Sequence, residues 1–72
     1  MSKTTAVATL NSKLESGDQI ALGFNADYND ERNKAWAKYT PGLSVTMYVT
    51  EEVAEQFEQG GRYLITFERA ES

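Results

Sequence analysis

The chain contains no cysteine and no histidine, and both absences restrict its chemistry. Without cysteine there is no disulfide framework and no thiolate metal site. Without histidine, the commonest metal ligand and the usual general base at neutral pH are missing. The serines have no catalytic partner at a recognisable spacing, and no glycine-rich phosphate loop precedes a helix. The sequence therefore predicts a protein that is not an enzyme and that uses no cofactor and no metal.

Long apolar runs are also missing, so the sequence predicts neither a signal peptide nor a membrane span. We expect a cytoplasmic location and no membrane partner. The 72 residues form at most one small domain, residues 1–72. A domain of this size buries only about 60% of the surface that its unfolded chain exposes, so its core is marginal.

Positive charge is scarce: seven Lys and Arg residues stand against eleven Asp and Glu residues, for a net charge of −4. Residues 1–26 and residues 27–40 each sum to zero, so residues 41–72 carry the whole excess of negative charge. Proteins that bind duplex DNA usually have a dominant basic face. The charge balance therefore disfavours nucleic acid as a partner without excluding it.

Alternation of apolar and polar side chains is the main signal that is present, and its period of two is typical of strands. It is clear in IALGFNADY, LSVTMYV and RYLITFE and weaker in TTAVATLNSKL, with a turn predicted at ESGD. The side chains expected to point inward are Ala8, Leu10, Leu14, Ile20, Leu22, Phe24, Ala26, Tyr28, Leu43, Val45, Met47, Val49, Tyr63, Ile65 and Phe67.

One short helix of about nine residues interrupts the strands, and at that length it must pack on the sheet. Thr50 is a good N-cap, Gly60-Gly61 predicts the end, and Phe57 is the expected anchor. The exposed side of this helix is rich in glutamate. It is either a solubilising surface or a docking face for a basic partner.

Residues 29–40 allow two predictions. As a helix, the segment would be capped by Asn29; as a strand, it would end in a type II turn at Pro41-Gly42. We favour an exposed loop over residues 29–34, followed by a strand and a tight turn. The fold class is then mainly β with one short helix (α+β), a small antiparallel sheet curling into a partly open OB-like barrel.

The segment ERNKAWAKYT places cations beside aromatic rings, and its candidate binding residues are Arg32, Lys34, Trp36, Lys38 and Tyr39. Rings that stack on bases and cations that face phosphate are the parts of a single-stranded nucleic-acid or nucleotide site. The alternative is structural: Trp36 caps the open end of the core while the cations balance nearby carboxylates. The neighbouring DYNDE lacks the later ligands of a calcium loop, so we expect a solvated loop there.

A further pattern joins Asn-Lys-x-Trp, a Thr-Pro turn, a helix with Ala and Phe, Gly-x-x-Tyr and a Thr-Phe strand end. Its members are Asn33, Lys34, Trp36, Thr40, Pro41, Ala54, Phe57, Gly60, Tyr63, Thr66 and Phe67. Over residues 20–68 the chain resembles a family of small uncharacterised proteins of tailed bacteriophages. The resemblance implies a viral protein made in the host bacterial cytoplasm, and it implies no catalytic or binding residue.

These observations favour a non-enzymatic bacteriophage accessory protein that binds a host or viral protein, because aromatic residues and Arg are common anchors of protein interfaces. Self-association into a homo-oligomer is a further expectation, since unpaired sheet edges invite pairing. The alternative is single-stranded nucleic-acid or nucleotide binding through residues 32–39. A structural role in the virus particle rests on the resemblance alone.

Overall fold

The computed structural model describes residues 3–71, which form four strands and two short helical elements. The strands are β1 (Lys3–Ser16), β2 (Gln19–Ala26), β3 (Ser44–Val49) and β4 (Arg62–Glu68). A 3-10 helix, η1 (Glu31–Ala35), follows β2, and the α-helix α1 (Glu51–Ala54) follows β3. All strand pairs are antiparallel in the order β3-β2-β1-β4, and the sheet curls into a half-open barrel. The predicted fold class, mainly β with one short helix, is confirmed.

The core lies on one face of the sheet, termed the inner face. Its buried side chains are Ala8, Leu10, Leu22, Phe24, Val49 and Ala54. The ring of Phe57, just after α1, packs against the rings of Phe24 and Tyr63 at centroid distances of 6.0 and 5.3 Å. The predicted alternation therefore places the core correctly in the middle of the sheet.

Strand β1 contains a β-bulge at Asn11, where its register with β2 shifts by one residue. Beyond the bulge, Lys13 lies on the inner face, and its ammonium group donates to the carbonyls of Ala54 and Phe57 at 3.0 and 2.9 Å. Leu14 lies on the opposite, outer face and is 63% exposed. The prediction that Leu14 points inward is wrong, because it assumed alternation without a bulge.

Three more side chains that were expected inside are exposed, namely Tyr28, Met47 and Phe67. Tyr28 lies beyond the end of β2, so the alternation of that strand no longer controls its direction. Met47 and Phe67 do lie on the inner face, but α1 has only four residues and leaves the edge strands β3 and β4 partly uncovered.

The α1 helix begins as predicted, because the Thr50 hydroxyl accepts a hydrogen bond from the Val53 N–H at 3.2 Å. It is shorter than the nine residues expected, and turns continue to Gly60. Gly60 has a φ of 90°, a left-handed conformation that glycine adopts without strain. The hairpin turn between β1 and β2 is also shorter than predicted, since only Gly17 and Asp18 lie outside the strands.

Residues 36–40 form no strand, and residues 31–35 form a 3-10 helix, so the loop-then-strand prediction is wrong. The N-cap is Asp30, not Asn29. The Asp30 carboxylate accepts a hydrogen bond from the Arg32 backbone N–H at 3.0 Å. The Asp30 backbone carbonyl accepts a hydrogen bond from the Asn33 N–H at 3.1 Å. Such short-range bonds favour a helical turn over an extended chain.

Within residues 3–71, the structure contains no helix with both the length and the apolar character needed to cross a membrane.

Candidate functional site

The buried side chain of Asn33 anchors the ERNKAWAKYT segment to the sheet. Its Oδ1 accepts a hydrogen bond from the Val7 N–H at 2.7 Å, and its Nδ2 donates to the carbonyls of Val7 and Asp27, both at 2.9 Å. The Asp27 N–H donates to the Val7 carbonyl at 2.9 Å, so the Asn33 amide is inserted between the Val7 N–H and the Asp27 carbonyl, where the return bond of a strand ladder would form. The segment is therefore joined to β1 by a side chain that imitates a peptide group.

Trp36 is half-buried, and its indole N–H donates to Asn33 Oδ1 at 3.2 Å. The polar edge of the ring is therefore used in holding η1 to the sheet. This geometry supports the structural interpretation of Trp36, although part of the ring remains open to solvent.

Two of the predicted cations are already paired with carboxylates that lie two or three residues before them in the chain. Arg32 donates to both oxygens of Asp30, at 2.9 and 2.8 Å, and Lys34 lies 3.3 Å from Glu31. Hydrogen bonds from the Arg32 side chain and backbone lower the pKa of Asp30 to about 2, helped by the charges of Arg32 and Arg62. The same carboxylate raises the pKa of Arg32.

Asp30 also joins the segment to strand β4. The Arg62 guanidinium donates to Asp30 at 3.2 Å and reaches Asp27 at 3.5 Å. The two aspartates of DYNDE thus meet arginines and Glu31 meets Lys34, and residues 3–71 contain no group of three or more side chains arranged to hold a metal ion.

Lys38 and Tyr39 are the predicted binding residues that remain most available. Tyr39 is 80% exposed, and the Lys38 ammonium lies 5.5 Å from the centroid of its ring. Within the part of the chain that the structure describes, neither forms an ion pair or a side-chain hydrogen bond. The structure therefore leaves two of the five candidate residues free to meet a ligand.

The glutamates of α1 and the turn after it form a second surface, and all are exposed: Glu51, Glu52, Glu55 and Glu58. A shallow groove of about 280 Å³ between α1 and the first hairpin is lined by two of them together with Glu15. Lys13 also lines this groove, but its ammonium group donates hydrogen bonds to the backbone carbonyls of Ala54 and Phe57. The groove is therefore acidic.

The free edge of β4 is a third surface. Val7 directs its N–H and C=O toward β2, where they meet Asn33 and the Asp27 N–H. Leu64 lies opposite Val7 in the β1–β4 ladder and therefore directs its own backbone groups away from β1. By alternation, the outward-facing backbone groups of β4 are those of Arg62, Leu64, Thr66 and Glu68.

The free edge of β3 is found in the same way. The Ala26 N–H donates to the Leu43 carbonyl at 3.1 Å, so the odd-numbered residues after Leu43 face β2. The backbone groups of Ser44, Thr46 and Tyr48 consequently face away from the sheet.

Large apolar side chains are exposed beside both edges. Met47 and Tyr48 are 43% and 59% exposed on β3, and Leu64 and Phe67 are 58% and 49% exposed on β4. Proteins usually protect such edges with charges, proline or a covering element. Strand β3 has no charge and no proline, whereas β4 has one charge of each sign, at its two ends.

Comparison with known proteins found no matching family model, no matching curated protein and no matching solved structure. The bacteriophage resemblance therefore stays a prediction. Four surfaces of this chain could meet a partner: residues 31–40, the acidic groove beside α1, and the free edges of β4 and β3.

Proposed function

We propose that this is a non-enzymatic bacteriophage accessory protein that acts by binding a host or viral protein. The observation that carries the proposal is the edge of β3, where residues 3–71 supply no strand to pair with the outward backbone groups and apolar side chains lie exposed beside them. An extended segment of the partner adds to this edge as a further antiparallel or parallel strand. The bacteriophage resemblance supports the viral origin and the host cytoplasm as the place of action.

The chemistry of β3 also indicates what the partner segment contains. On the inner face, Val45 is half-buried and Met47 is exposed, so apolar side chains of the partner would extend the core there. On the outer face, Tyr48 offers a ring for a second contact. With no charge on β3, the preferred partner segment alternates apolar and small polar residues and carries no charge opposite residues 44–49.

The test uses two substitutions at one outward-facing position. Thr46→Pro removes the outward N–H of the edge and adds a ring, whereas Thr46→Ala keeps the N–H. We expect wild type and Thr46→Ala to capture the same protein from host lysate, and Thr46→Pro to lose it. Thr66→Pro, which alters the β4 edge in the same way, serves as the matched control and should retain the partner.

Circular dichroism of each variant establishes that the fold is kept. Equal capture by Thr46→Pro and Thr46→Ala, or no capture by wild type above background, would contradict the proposal.

Single-stranded nucleic-acid or nucleotide binding through residues 32–39 is the second candidate. It is favoured by the exposed Lys38 and Tyr39 beside the half-buried Trp36, and it is weakened by the ion pairs of Arg32 and Lys34. Titration with short oligonucleotides, followed by the fluorescence of the single tryptophan, tests it. Quenching that weakens with salt and is lost in Tyr39→Ala supports this candidate, and the absence of quenching removes it.

A further inference from the structure

Strand β4, RYLITFE, is complementary to itself when two copies run antiparallel. With Ile65 facing Ile65 at the centre, the facing pairs are Arg62 with Glu68, Tyr63 with Phe67, and Leu64 with Thr66. Each pair occurs twice, once on each side of the centre. The pairing therefore combines two ion pairs, two aromatic pairs and a β-branched centre, all of which are favourable across strands.

The backbone geometry permits the same alignment. The outward-facing groups of β4 belong to Arg62, Leu64, Thr66 and Glu68, as the contacts of Val7 require. With Ile65 at the centre, each of these residues faces another outward-facing residue, so they exchange hydrogen bonds along the whole strand. A shift of one residue would place outward-facing groups opposite inward-facing ones and would lose these bonds.

The exposed side chains of β4 are those that the pairing would cover. Leu64 and Phe67 are 58% and 49% exposed, on the outer and inner faces respectively. In the paired strands, Leu64 lies beside Thr66 of the other copy, and Phe67 lies beside Tyr63. A shift of two residues would separate Glu68 from Arg62 of the other copy and leave Arg62 with only Asp27 and Asp30 of its own chain, so the Arg62–Glu68 pairs favour the centred alignment.

We propose that the β4 edge binds a second copy of this chain, giving a symmetric dimer with one continuous antiparallel sheet. The contact is isologous and closes on itself, so it does not propagate into fibres. A contact between β3 and β4 of different copies would be open-ended, and β3 offers no charge to Arg62 or Glu68. The inference deepens the proposed function and rests on it in one premise, that a free sheet edge of this chain binds a strand. In the dimer, the β3 strands of the two copies lie at the two outer edges of the continuous sheet and remain free.

The experiment is sedimentation velocity over a range of protein concentrations, starting from the monomer mass of 8.0 kDa. We expect wild type to reach twice this mass as the concentration rises. Thr66→Pro removes an outward N–H at the interface and should raise the dimer dissociation constant at least tenfold (about 1.4 kcal/mol), whereas Thr66→Ala keeps the N–H and should leave it within about threefold of the wild-type value.

Glu68→Arg is the second variant, and it tests the charge pairing without touching the backbone. It replaces both ion pairs by Arg–Arg contacts, and we expect the dissociation constant to rise about tenfold. Glu68 is chosen because Arg62 also contacts Asp27 and Asp30 within its own chain. Glu68 is exposed at the end of its strand, so this variant should fold even if Thr66→Pro does not.

Thr46→Pro, at the β3 edge, is the matched control and should dimerise like wild type. A wild type that stays monomeric at about 1 mM overturns the inference. The inference is also overturned if neither Glu68→Arg nor a folded Thr66→Pro raises the dimer dissociation constant. It is overturned as well if Thr46→Pro disrupts the dimer. Partner capture depends on Thr46 and dimerisation on Thr66, so the failure of one proposal is distinguishable from the failure of the other.

Discussion

At the scale of single residues, Asn33 determines how the segment after β2 is held. Its amide serves as donor and acceptor at once, which no carboxylate or aliphatic side chain can do. It bonds the backbone of Val7 and Asp27 and also receives the Trp36 N–H. The removal of this one side chain would leave the buried Val7 N–H and the Trp36 indole N–H without their acceptor, whereas the carbonyls of Val7 and Asp27 would keep the N–H groups of Asp27 and Asp30.

We therefore expect Asn33→Ala to lower the free energy of unfolding by about 2–4 kcal/mol. Urea denaturation followed by circular dichroism measures the change. Asn29→Ala is the matched control, because Asn29 is exposed and its side chain forms no hydrogen bond in the described part of the chain, and it should change stability by less than about 0.5 kcal/mol. A similar small effect of Asn33→Ala would mean that water replaces the amide.

Asp30 makes stability depend on acid pH. Its pKa lies at about 2 in the folded protein and near 3.8 ordinarily, so the folded state binds the proton less readily than the unfolded state does. The stabilisation is fully present above the ordinary pKa and is lost as the pH falls through the window from 3.8 to about 2.

Thermal unfolding at several pH values measures this loss. We expect the melting temperature of wild type to fall through that window more steeply than that of Asp30→Asn. Parallel curves for the two proteins would show that other carboxylates control acid unfolding.

The role of Asn33 could not be predicted from the sequence, because its main partner Val7 is 26 residues away. The sequence shows only a polar residue in a charged segment, three positions before Trp36. That spacing was part of the bacteriophage resemblance, and the structure gives it a physical reason in the bond between the two side chains. The structural interpretation of Trp36 was a cap on the open end of the core, and its bond to Asn33 was not predicted.

At the scale of elements, alternation predicts strands well and their faces less well. Strands β2, β3 and β4 were located from period-two patterns, and the N-cap of α1 from Thr50. The bulge at Asn11 was missed because one extra residue leaves no mark in composition. A helix within residues 29–40 was considered but not favoured, because the five residues of η1 are too few to show a helical period.

Phe57 attaches the turn after α1 to the sheet, and it is half-buried instead of fully buried. Its contacts with Phe24 and Tyr63 remain, so we expect Phe57→Ala to cost about 2–3 kcal/mol, below the usual range of about 3–5 for a fully buried ring. Denaturant unfolding at low protein concentration provides the measurement. Phe67→Ala, which removes an exposed ring, should cost less than about 1 kcal/mol, and equal effects would contradict this account of the core.

At the scale of the whole molecule, the domain is a thin layer. Its dimensions are 38 × 34 × 16 Å, and its radius of gyration is 13.5 Å, compared with about 11 Å for a compact chain of this length. A single sheet covered by one helical turn cannot enclose all of its apolar side chains. The thinness explains why large apolar residues are exposed beside both edges, and why those edges are the surfaces proposed here for binding.

The bond between Val7 and Asn33 gives the molecule an internal reporter of loop attachment. The Val7 amide proton is held by a side chain of η1, whereas Thr9, the next β2-facing residue of β1, pairs with Asn25 of strand β2. Detachment of η1 alone would expose the Val7 proton to exchange with solvent deuterium and leave the Thr9 proton protected. The difference between these two exchange rates would therefore give the free energy that holds the loop in place, separately from the free energy that holds the sheet.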